Sequence, residues 1–319
     1  MITTFTHSRT HDITASMETY TPGYSFAAEA FMVRRRLEPN GAFFLPYLTP
    51  GLKVLDCGCG PGTITRDIAQ RIAPGHATGL DFNLSQIEWA VRDAAAAGIR
   101  NIEFRQGNVY ELPFAEGTFD AVFSHALLEH LREPGRAAAE FRRVLKPGGM
   151  LGVCTPDWGG FIVAPPSPEV VEAFEAYKDL QNRNGGDVCC GRKLGGYVAG
   201  AGFENVRMSS RYENYDPLTI IGDFLAMNFD EAGDSKHAAT FREWARRPNG
   251  MFSQAWVSCI ATSPRRADTL VMKSPGLGSP AGVAWGGVES LAGVETANVP
   301  SPARVPANGR TANESRSRG

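Results

Sequence analysis

The sequence predicts an α/β fold in which helices alternate with the strands of a doubly wound, mostly parallel sheet. Between about residues 52 and 155, short apolar runs that suit strands alternate with segments whose apolar residues recur at helical spacing. The first of these runs leads into a glycine-rich turn, and a helical pattern follows the turn directly. Strand–helix–strand units of this kind form parallel sheets with right-handed crossovers.

The alternating region contains five predicted strands with helices between them. The strands cover residues 53–57, 76–81, 102–107, 119–124 and 150–155. The first helix carries isoleucine at every fourth position, and the last helix covers residues 134–145. A helix between these two begins at a capping box formed by Ser85 and Glu88. Its apolar face is predicted to contain Ile87, Ala90, Val91 and Ala94.

The pattern changes on both sides of this region. Residues 1–24 are predicted to be a flexible leader, and residues 25–48 have apolar positions at helical spacing. Residues 156–190 interrupt the alternation after the fifth strand, before helices and strands return. Residues 264–319 are rich in Ser, Pro, Gly and Ala without periodicity, so we expect a disordered tail. The folded domain is therefore predicted to cover residues 25–263.

The composition is that of an ordinary globular protein. The chain has 319 residues, of which 43% are hydrophobic and 21% are charged. Its formal net charge is -2 and it has no long basic run, so nucleic acid is not expected as a partner. No apolar run approaches the roughly 18 residues that a membrane helix needs. The first twenty residues have no apolar stretch typical of a signal peptide, so we expect a cytoplasmic protein.

The six cysteines indicate a reduced protein. Cys57 and Cys59 lie within the glycine-rich turn, and Cys189 and Cys190 are adjacent. Such pairs are too close in sequence for an easy disulfide, and disulfides are rare in the cytosol. Neither pair has further His or Cys residues at the spacing of metal ligands. The sequence therefore predicts no disulfide framework and no metal site.

The glycine-rich turn is the motif that points to a ligand. It reads DCGCGPG over residues 56–62. Its glycines allow positive φ angles and close approach of a ligand, and the N-terminus of the following helix favours negative charge. A dinucleotide fingerprint needs G-x-G-x-x-G, but the position for the third glycine, counted from Gly58, is Thr63. The spacing therefore disfavours a nicotinamide-dependent oxidoreductase.

The turn resembles motif I of the class I S-adenosylmethionine-dependent methyltransferases, and most of all the type 11 branch with the ubiquinone and menaquinone methyltransferases. The similarity continues through residues 79–81, 107–109, 112–114, 119–120, 125–131 and 145–149. The resemblance implies a Rossmann-like, seven-stranded sheet with an N-terminal helical cap and a lid over the acceptor at residues 156–190. It also implies S-adenosyl-L-methionine as cofactor and in-line transfer of its methyl group to a small apolar or aromatic acceptor.

The resemblance assigns residues to the adenosine part of the cofactor. Asp81 ends the second strand, where its carboxylate would accept hydrogen bonds from both ribose hydroxyls. The alternative for Asp81 is the N-cap of the next helix. Phe82 would lie against the adenine face, and Asn108 and Val109 would contact the adenine edge. The family usually has aspartate at the position of Asn108.

The same resemblance places the methionine part of the cofactor at the turn. The side chain of Asp56 and the backbone of Gly58 would orient the amino group. Gly60 and Gly62 would complete the binding loop, because glycine leaves room for a ligand against the backbone.

Two histidines lie near the expected site. His125 follows the fourth strand, and it is our candidate for a general base if the acceptor is a phenol, whose pKa is about 10. The alternatives are a packed histidine or one that binds near the cofactor carboxylate. His130 lies further along and is interpreted as structural. Methyl transfer itself depends more on alignment than on acid–base chemistry.

Aromatic residues outside the alternating region are candidates for the acceptor pocket. Tyr24, Trp158 and Phe161 lie in the two segments that cover the acceptor in the family. The alternative is that they belong to the hydrophobic core, which is the more common position for such residues.

Two other classes of function remain open after the sequence is read. The protein could bind the cofactor without catalysis or use it in another reaction type, because a fold does not fix a function. A nicotinamide-dependent oxidoreductase ranks below both. The identity of the acceptor, the atom that is methylated and the oligomeric state are not set by the sequence.

Overall fold

The computed structural model describes residues 18–265, and in this part of the chain seven strands form one sheet. They are β1 (Lys53–Cys57), β2 (His76–Asp81), β3 (Ile102–Gln106), β4 (Phe119–His125), β5 (Leu145–Ala164), β6 (Glu204–Asn214) and β7 (Met251–Thr262). Their order is β3-β2-β1-β4-β5-β7-β6. β7 runs antiparallel to β5 and β6, and the remaining neighbours are parallel. The prediction of a doubly wound, mostly parallel, seven-stranded sheet is confirmed.

Helices connect the strands and precede the first one. They are α1 (Phe26–Met32), α2 (Leu37–Gly41), α3 (Thr63–Ile72), α4 (Leu84–Ala96), α5 (Pro134–Val144), α6 (Pro168–Arg183), α7 (Cys190–Gly200), α8 (Thr219–Glu231) and α9 (Ser235–Trp244), with 3₁₀ turns at Ala42–Tyr47 and Leu128–His130. None of the helices within residues 18–265 combines the length and the apolar character that crossing a membrane requires.

Both faces of the sheet are covered. Val54 and Leu55 are consecutive residues of β1 that point to opposite faces, and both are fully buried. Val54 packs in a cluster with Ile68 of α3, whereas Leu55 belongs to a cluster that includes Phe141 of α5 and Val198 of α7. Strands that are buried on both faces read as apolar runs, which explains why β1 was predictable from sequence.

A second apolar core lies among α1, α6, α8, α9 and the start of β7. Phe174 of α6 is 1% exposed and lies at its centre. Its ring stacks on Phe252 with centroids 5.2 Å apart, and it meets the edges of Phe241 and Trp244 at 5.0 and 5.4 Å. Aromatic pairs at these distances add to the stabilisation from burial.

The start of α4 differs from the prediction. Asn83 is the N-cap, and its side-chain oxygen accepts hydrogen bonds from the backbone N–H groups of Ser85 and Gln86 at 2.8 and 3.3 Å. The predicted capping box at Ser85 is therefore wrong, because Asn83 already satisfies the first free N–H groups of the helix. Val91 is 49% exposed, so it does not belong to the buried face of the helix.

The segment after the predicted fifth strand also differs. β5 continues to Ala164, beyond the predicted end at residue 155, because it pairs with the antiparallel β7 along its length. A register shift between Asp157 and Phe161 interrupts the pairing at Gly159 and Gly160. Helix α6 follows β5 within this segment. A lid function for residues 156–190 stays a prediction.

The ends of the chain fall partly outside the described residues. Residues 1–17 of the predicted leader and residues 266–319 of the predicted tail lie outside the residues that the structure describes. Within residues 18–24, the backbone N–H of Thr19 donates to the carbonyl of Asn184 at 3.1 Å. The boundaries of leader, domain and tail stay predictions.

Candidate active site

A cavity of about 690 Å³ lies at the carboxyl ends of β1, β2 and β4. This edge is where ligands of doubly wound sheets bind, next to the point at which the strand order reverses. Its volume is in the usual range of small-molecule sites. Most of the residues that the sequence singled out line it: Tyr24, Asp56, Gly58, Gly60, Asp81, Phe82, Asn108, Val109 and His125.

The glycine-rich turn forms one wall of the cavity. Gly58, Gly60 and Gly62 have φ angles of 73°, 50° and 73°, which favour glycine. A Cβ atom on Gly60 would meet only Met32 Sδ at 3.8 Å and Gln86 Oε1 at 3.9 Å, so the backbone of Gly60 is open to the cavity. A Cβ atom on Gly62 would lie 2.7 Å from the ring of Phe104. Gly62 is therefore required for packing and faces away from the cavity, in contrast to its predicted role in the binding loop.

Asp81 connects the turn to the start of α4. Its Oδ2 accepts a hydrogen bond from Gly60 N–H and its Oδ1 accepts one from Asn83 N–H, both at 2.9 Å. Burial raises the pKa of Asp81, and these backbone donors oppose the rise. Because Asn83 is the N-cap of α4, the alternative role of Asp81 as helix cap is wrong.

Asp56 lies beneath the turn and is 3% exposed. Its Oδ2 accepts a hydrogen bond from the hydroxyl of Thr65 at 2.6 Å, which fixes the carboxyl group against α3. Burial raises the pKa of Asp56 to about 7, with a smaller contribution from the charge of Asp81, while Thr65 opposes the rise. The group therefore lines the cavity with a rigid orientation.

The opposite wall contains the residues predicted for adenine. Phe82 is 57% exposed at the rim, and Val109 is buried. Asn108 Oδ1 accepts a hydrogen bond from Tyr110 N–H at 2.9 Å, so one acceptor site of its amide oxygen is already used. Glu18 closes this end, since its carboxylate accepts from Arg132 N–H at 2.6 Å and from the Tyr110 hydroxyl.

His125 is the last residue of β4, not a residue after it. Its ring stacks on Trp256 with centroids 4.7 Å apart, and the residue is 4% exposed. Neither ring nitrogen has a hydrogen-bond partner among residues 18–265. Burial lowers the pKa of His125 well below its ordinary value, and the charges of Arg35 and Arg211 add to this. The ring is therefore neutral at physiological pH and a weak base.

His130 also lines the cavity, although the sequence suggested a structural role. The ring of Tyr20 packs edge-on against the ring of His130, with centroids 4.7 Å apart. The Nδ1 of His130 has no hydrogen-bond partner in the described part of the chain. Its Nε2 lies 3.5 Å from Oε1 of the buried Glu129. Burial lowers the pKa of His130 to about 3 and raises that of Glu129 to about 7. The Thr155 hydroxyl donates to Glu129 and opposes the latter shift.

Two of the three aromatic residues predicted for the acceptor do not reach this cavity. Trp158 is 5% exposed and packs against Tyr177 at 4.6 Å. Phe161 packs against Phe174 at 4.7 Å. Both belong to the second core, as the alternative interpretation had it, because the extended β5 carries them away from the carboxyl edge. Tyr24 does line the cavity, and burial raises its pKa to about 12 with a further contribution from Asp81.

Sequence reasoning missed Arg35 and Gln86, which both line the cavity. Gln86 is fully buried; its Nε2 donates to Glu29 Oε1 at 3.0 Å, and its Oε1 has no partner among the described residues. Arg35 lies within residues 25–48, where the apolar spacing identifies core positions and gives no information on the polar residues between them. The only signal for Arg35 was its place in a run of three arginines.

The cysteines do not form a metal centre in the described residues. Cys57 and Cys59 are buried and free, and burial raises the pKa of both thiols well above the ordinary value. Within residues 18–265 no three His, Cys, Asp or Glu side chains are placed to hold a metal ion.

Comparison with known proteins agrees with this architecture. Residues 54–149 match the family model described as a methyltransferase domain. An uncharacterised methyltransferase of Schizosaccharomyces pombe is 33% identical over 184 residues, 55% of this chain and 66% of that protein. A demethylmenaquinone methyltransferase of Lactococcus lactis is 38% identical over 128 residues, 40% of this chain and 48% of that protein. The chain thus matches about half to two thirds of these relatives' own lengths.

A solved structure shares the fold. A Bacillus halodurans protein assigned as a methyltransferase superposes with a TM-score of 0.53 and 18% identity, over 69% of this chain and 98% of that one. The sequence match identifies residues 54–149 as a methyltransferase domain, and the sheet order is the one expected for the S-adenosylmethionine-dependent methyltransferases of class I. Within that class, the resemblance to the menaquinone methyltransferases is confirmed by the Lactococcus lactis relative.

Proposed function

We propose that the protein is a methyltransferase that transfers the methyl group of S-adenosylmethionine to a small molecule bound beside His125. One observation carries the proposal: the carboxylate of Asp81 and the open backbone of Gly60 lie together at the edge of the cavity. A carboxylate at the end of β2 suits a pair of ribose hydroxyls, and a bare glycine backbone suits close approach of the ligand.

The remaining residues of the cavity fit the same cofactor. The N–H of Gly58 donates to the carbonyl of Leu80 at 2.8 Å, which leaves the Gly58 carbonyl as the group for the methionine ammonium. The unpartnered Oε1 of Gln86 is a second acceptor on this side. Phe82 at the rim suits the adenine face, and Val109 N–H suits a ring nitrogen. Asn108 retains one acceptor site for the exocyclic amine.

When bound, S-adenosylmethionine supplies an electrophilic methyl group on a sulfonium. The protein then has to align the acceptor and exclude water, and alignment contributes most of the rate in such displacements. The neutral ring of His125 suits a hydrogen bond to the acceptor better than proton abstraction, because transfer from a phenol to so weak a base is uphill. We therefore interpret His125 as a residue that orients the acceptor.

Two parts of the proposal rest on sequence alone. A cytoplasmic location stays a prediction, and so does the apolar or aromatic character of the acceptor. The main competing function is cofactor binding without catalysis. The unpartnered ring nitrogens of His125 and His130 in the cavity favour a second bound molecule, the acceptor, over this alternative.

Calorimetry followed by an activity screen tests the proposal. The full-length protein is titrated with S-adenosylmethionine, S-adenosylhomocysteine and NADH. We expect binding of the first two and none of NADH. A panel of small aromatic and apolar acceptors is then assayed for production of S-adenosylhomocysteine. Binding of NADH alone would show that the protein is not a methyltransferase, and cofactor binding without turnover on any acceptor would favour the competing function.

A further inference from the structure

Arg35 is a cavity residue whose charge has no ion-pair partner among residues 18–265. Its guanidinium lies over the rings of Phe31 and Trp256, 5.7 and 5.9 Å from their centroids. Two neighbouring guanidiniums, those of Arg36 and Arg211, are paired with carboxylates. Arg36 makes two hydrogen bonds to Asp67, at 2.7 and 2.8 Å. Arg211, which lies over the same Trp256 ring, donates to a carboxylate oxygen of Glu213 at 2.9 Å.

The nearest buried carboxylate does not neutralise Arg35. The charge of Arg35 lowers the pKa of Glu129, so the two groups interact electrostatically. However, one oxygen of Glu129 accepts from the hydroxyl of Thr155, and the other faces the ring of His130 at 3.5 Å. Glu129 is absent from the cavity wall, whereas Arg35 and His130 form part of it.

The groups around Arg35 also lack partners. Both ring nitrogens of His125 and the Nδ1 of His130 are buried, line the cavity and have no hydrogen-bond partner in the described residues. Buried polar groups are nearly always hydrogen-bonded, and a half-buried cation without a counter-ion is costly. A guanidinium and two neutral imidazoles can together donate several hydrogen bonds to one group that accepts them.

We propose that Arg35 binds an ionised oxygen of the methyl acceptor, so that the acceptor is a small aromatic acid and not a neutral apolar molecule. The inference rests on the proposed function and specifies its substrate class. The rings of Tyr20, Tyr24 and His125, which line the cavity, supply the aromatic surroundings, and Arg35 supplies the charge. Guanidinium–carboxylate hydrogen bonds are among the stronger ones in proteins.

The cofactor also carries a carboxylate, so the experiment has to separate the two sources of negative charge. The full-length protein is first titrated with S-adenosylhomocysteine and with 5′-methylthioadenosine, which lacks the amino-acid part. The complex with S-adenosylhomocysteine is then titrated with benzoate and with benzamide, a neutral molecule of nearly the same shape. The same series is measured for Arg35→Gln and for Arg34→Gln, an adjacent exposed arginine that is not part of the cavity wall.

We expect wild-type protein and Arg34→Gln to bind benzoate at least tenfold more tightly than benzamide. Arg35→Gln should bind the two equally, with its affinity for S-adenosylhomocysteine unchanged. Absent binding of benzoate, or equal affinities in the wild type, overturns the inference while leaving the proposed function intact. A tenfold loss for S-adenosylhomocysteine but not for 5′-methylthioadenosine in Arg35→Gln would assign Arg35 to the cofactor and also overturn it. Wild-type protein that fails to bind S-adenosylhomocysteine would refute the proposed function itself.

Discussion

The carboxylate of Asp81 accepts a hydrogen bond from the backbone N–H of Gly60 at 2.9 Å, across 21 residues of sequence. The bond ties the end of β2 to the turn that follows β1. It holds the open face of Gly60 and the carboxylate side by side, so the two parts of the cofactor wall depend on each other. A change at either residue should therefore affect ligand binding more than it affects the fold.

Replacing Asp81 with Ala should weaken cofactor binding by tenfold or more. The change removes the acceptor proposed for the ribose hydroxyls, and hydrogen bonds to a charged group are worth about 1.5–3 kcal/mol. Calorimetry with S-adenosylhomocysteine measures the effect. Asp81→Asn is the matched control, since its amide oxygen still accepts from Gly60 N–H, and it should lose less. Unchanged affinity in a folded Asp81→Ala protein would remove Asp81 from the cofactor site.

Alanine at Gly60 should affect cofactor binding, whereas alanine at Gly62 should affect stability. In Gly60→Ala the new Cβ has no neighbour closer than 3.8 Å, but it occupies the cavity, so cofactor binding should fall while the protein stays folded. In Gly62→Ala the Cβ would meet the ring of Phe104 at 2.7 Å, so the melting temperature should fall markedly. Thermal unfolding and calorimetry on both variants distinguish the two roles. Normal cofactor binding by Gly60→Ala would exclude the turn as the binding loop.

These contrasts show what the sequence could predict. β1 and the glycine pattern were predictable, because a buried parallel strand and a positive-φ turn are local features. The separate tasks of Gly60 and Gly62 depend on Phe104, which lies on another strand. The cap at Asn83 was missed because Ser85 and Glu88 form an equally good local signature, and only the chain path out of β2 decides between them. Arg35 was missed because its importance lies in lacking a partner, which is a property of the folded chain.

Truncating the central aromatic residue of the second core should be strongly destabilising. Phe174→Ala removes four close ring contacts and leaves a cavity, at a cost of about 3–5 kcal/mol in the free energy of unfolding. Val171→Ala, on the exposed side of the same helix, is the matched control and should change stability by less than about 0.5 kcal/mol. Denaturant unfolding measures both. A loss below about 1 kcal/mol for Phe174→Ala would show that α6 does not anchor this core.

His130 should make the protein less stable in acid. Its pKa is about 3 in the folded state, against about 6.5 when unfolded, so between these values the unfolded chain binds more protons and stability falls as the pH is lowered. At pH 5 the penalty from this residue should be about 2 kcal/mol, at 1.36 kcal/mol per pKa unit. Asp56 and Glu129 act in the opposite sense, because their raised pKa values favour the folded state below pH 7.

The comparison of wild type with His130→Asn isolates that contribution. Denaturant unfolding of both proteins at pH 8 and pH 5 gives the loss on acidification for each, and the two carboxyl groups contribute to both. The loss should be about 2 kcal/mol smaller in the variant. Equal losses in the two proteins would mean that His130 takes up a proton in the folded state near its ordinary pKa.

The last prediction concerns His125, whose ring nitrogens are buried without partners in the described residues. His125→Phe keeps an aromatic ring against Trp256 and removes both nitrogens, so the melting temperature should stay the same or rise. Affinity for S-adenosylhomocysteine should not change. Turnover of an acceptor found in the screen should fall at least tenfold, because the group that orients the acceptor is gone.

The pH dependence of that turnover separates orientation from general-base catalysis. Burial lowers the pKa of His125 well below its ordinary value, so this residue should not titrate near pH 6.5. The pH profiles of the wild type and of His125→Phe should therefore show no difference in inflection near pH 6.5. Such a difference would restore the role of general base. His125→Phe with full turnover and reduced stability would instead show that His125 is a packing residue. If His125 serves function, removing its unpartnered ring nitrogens should not lower the stability of the protein.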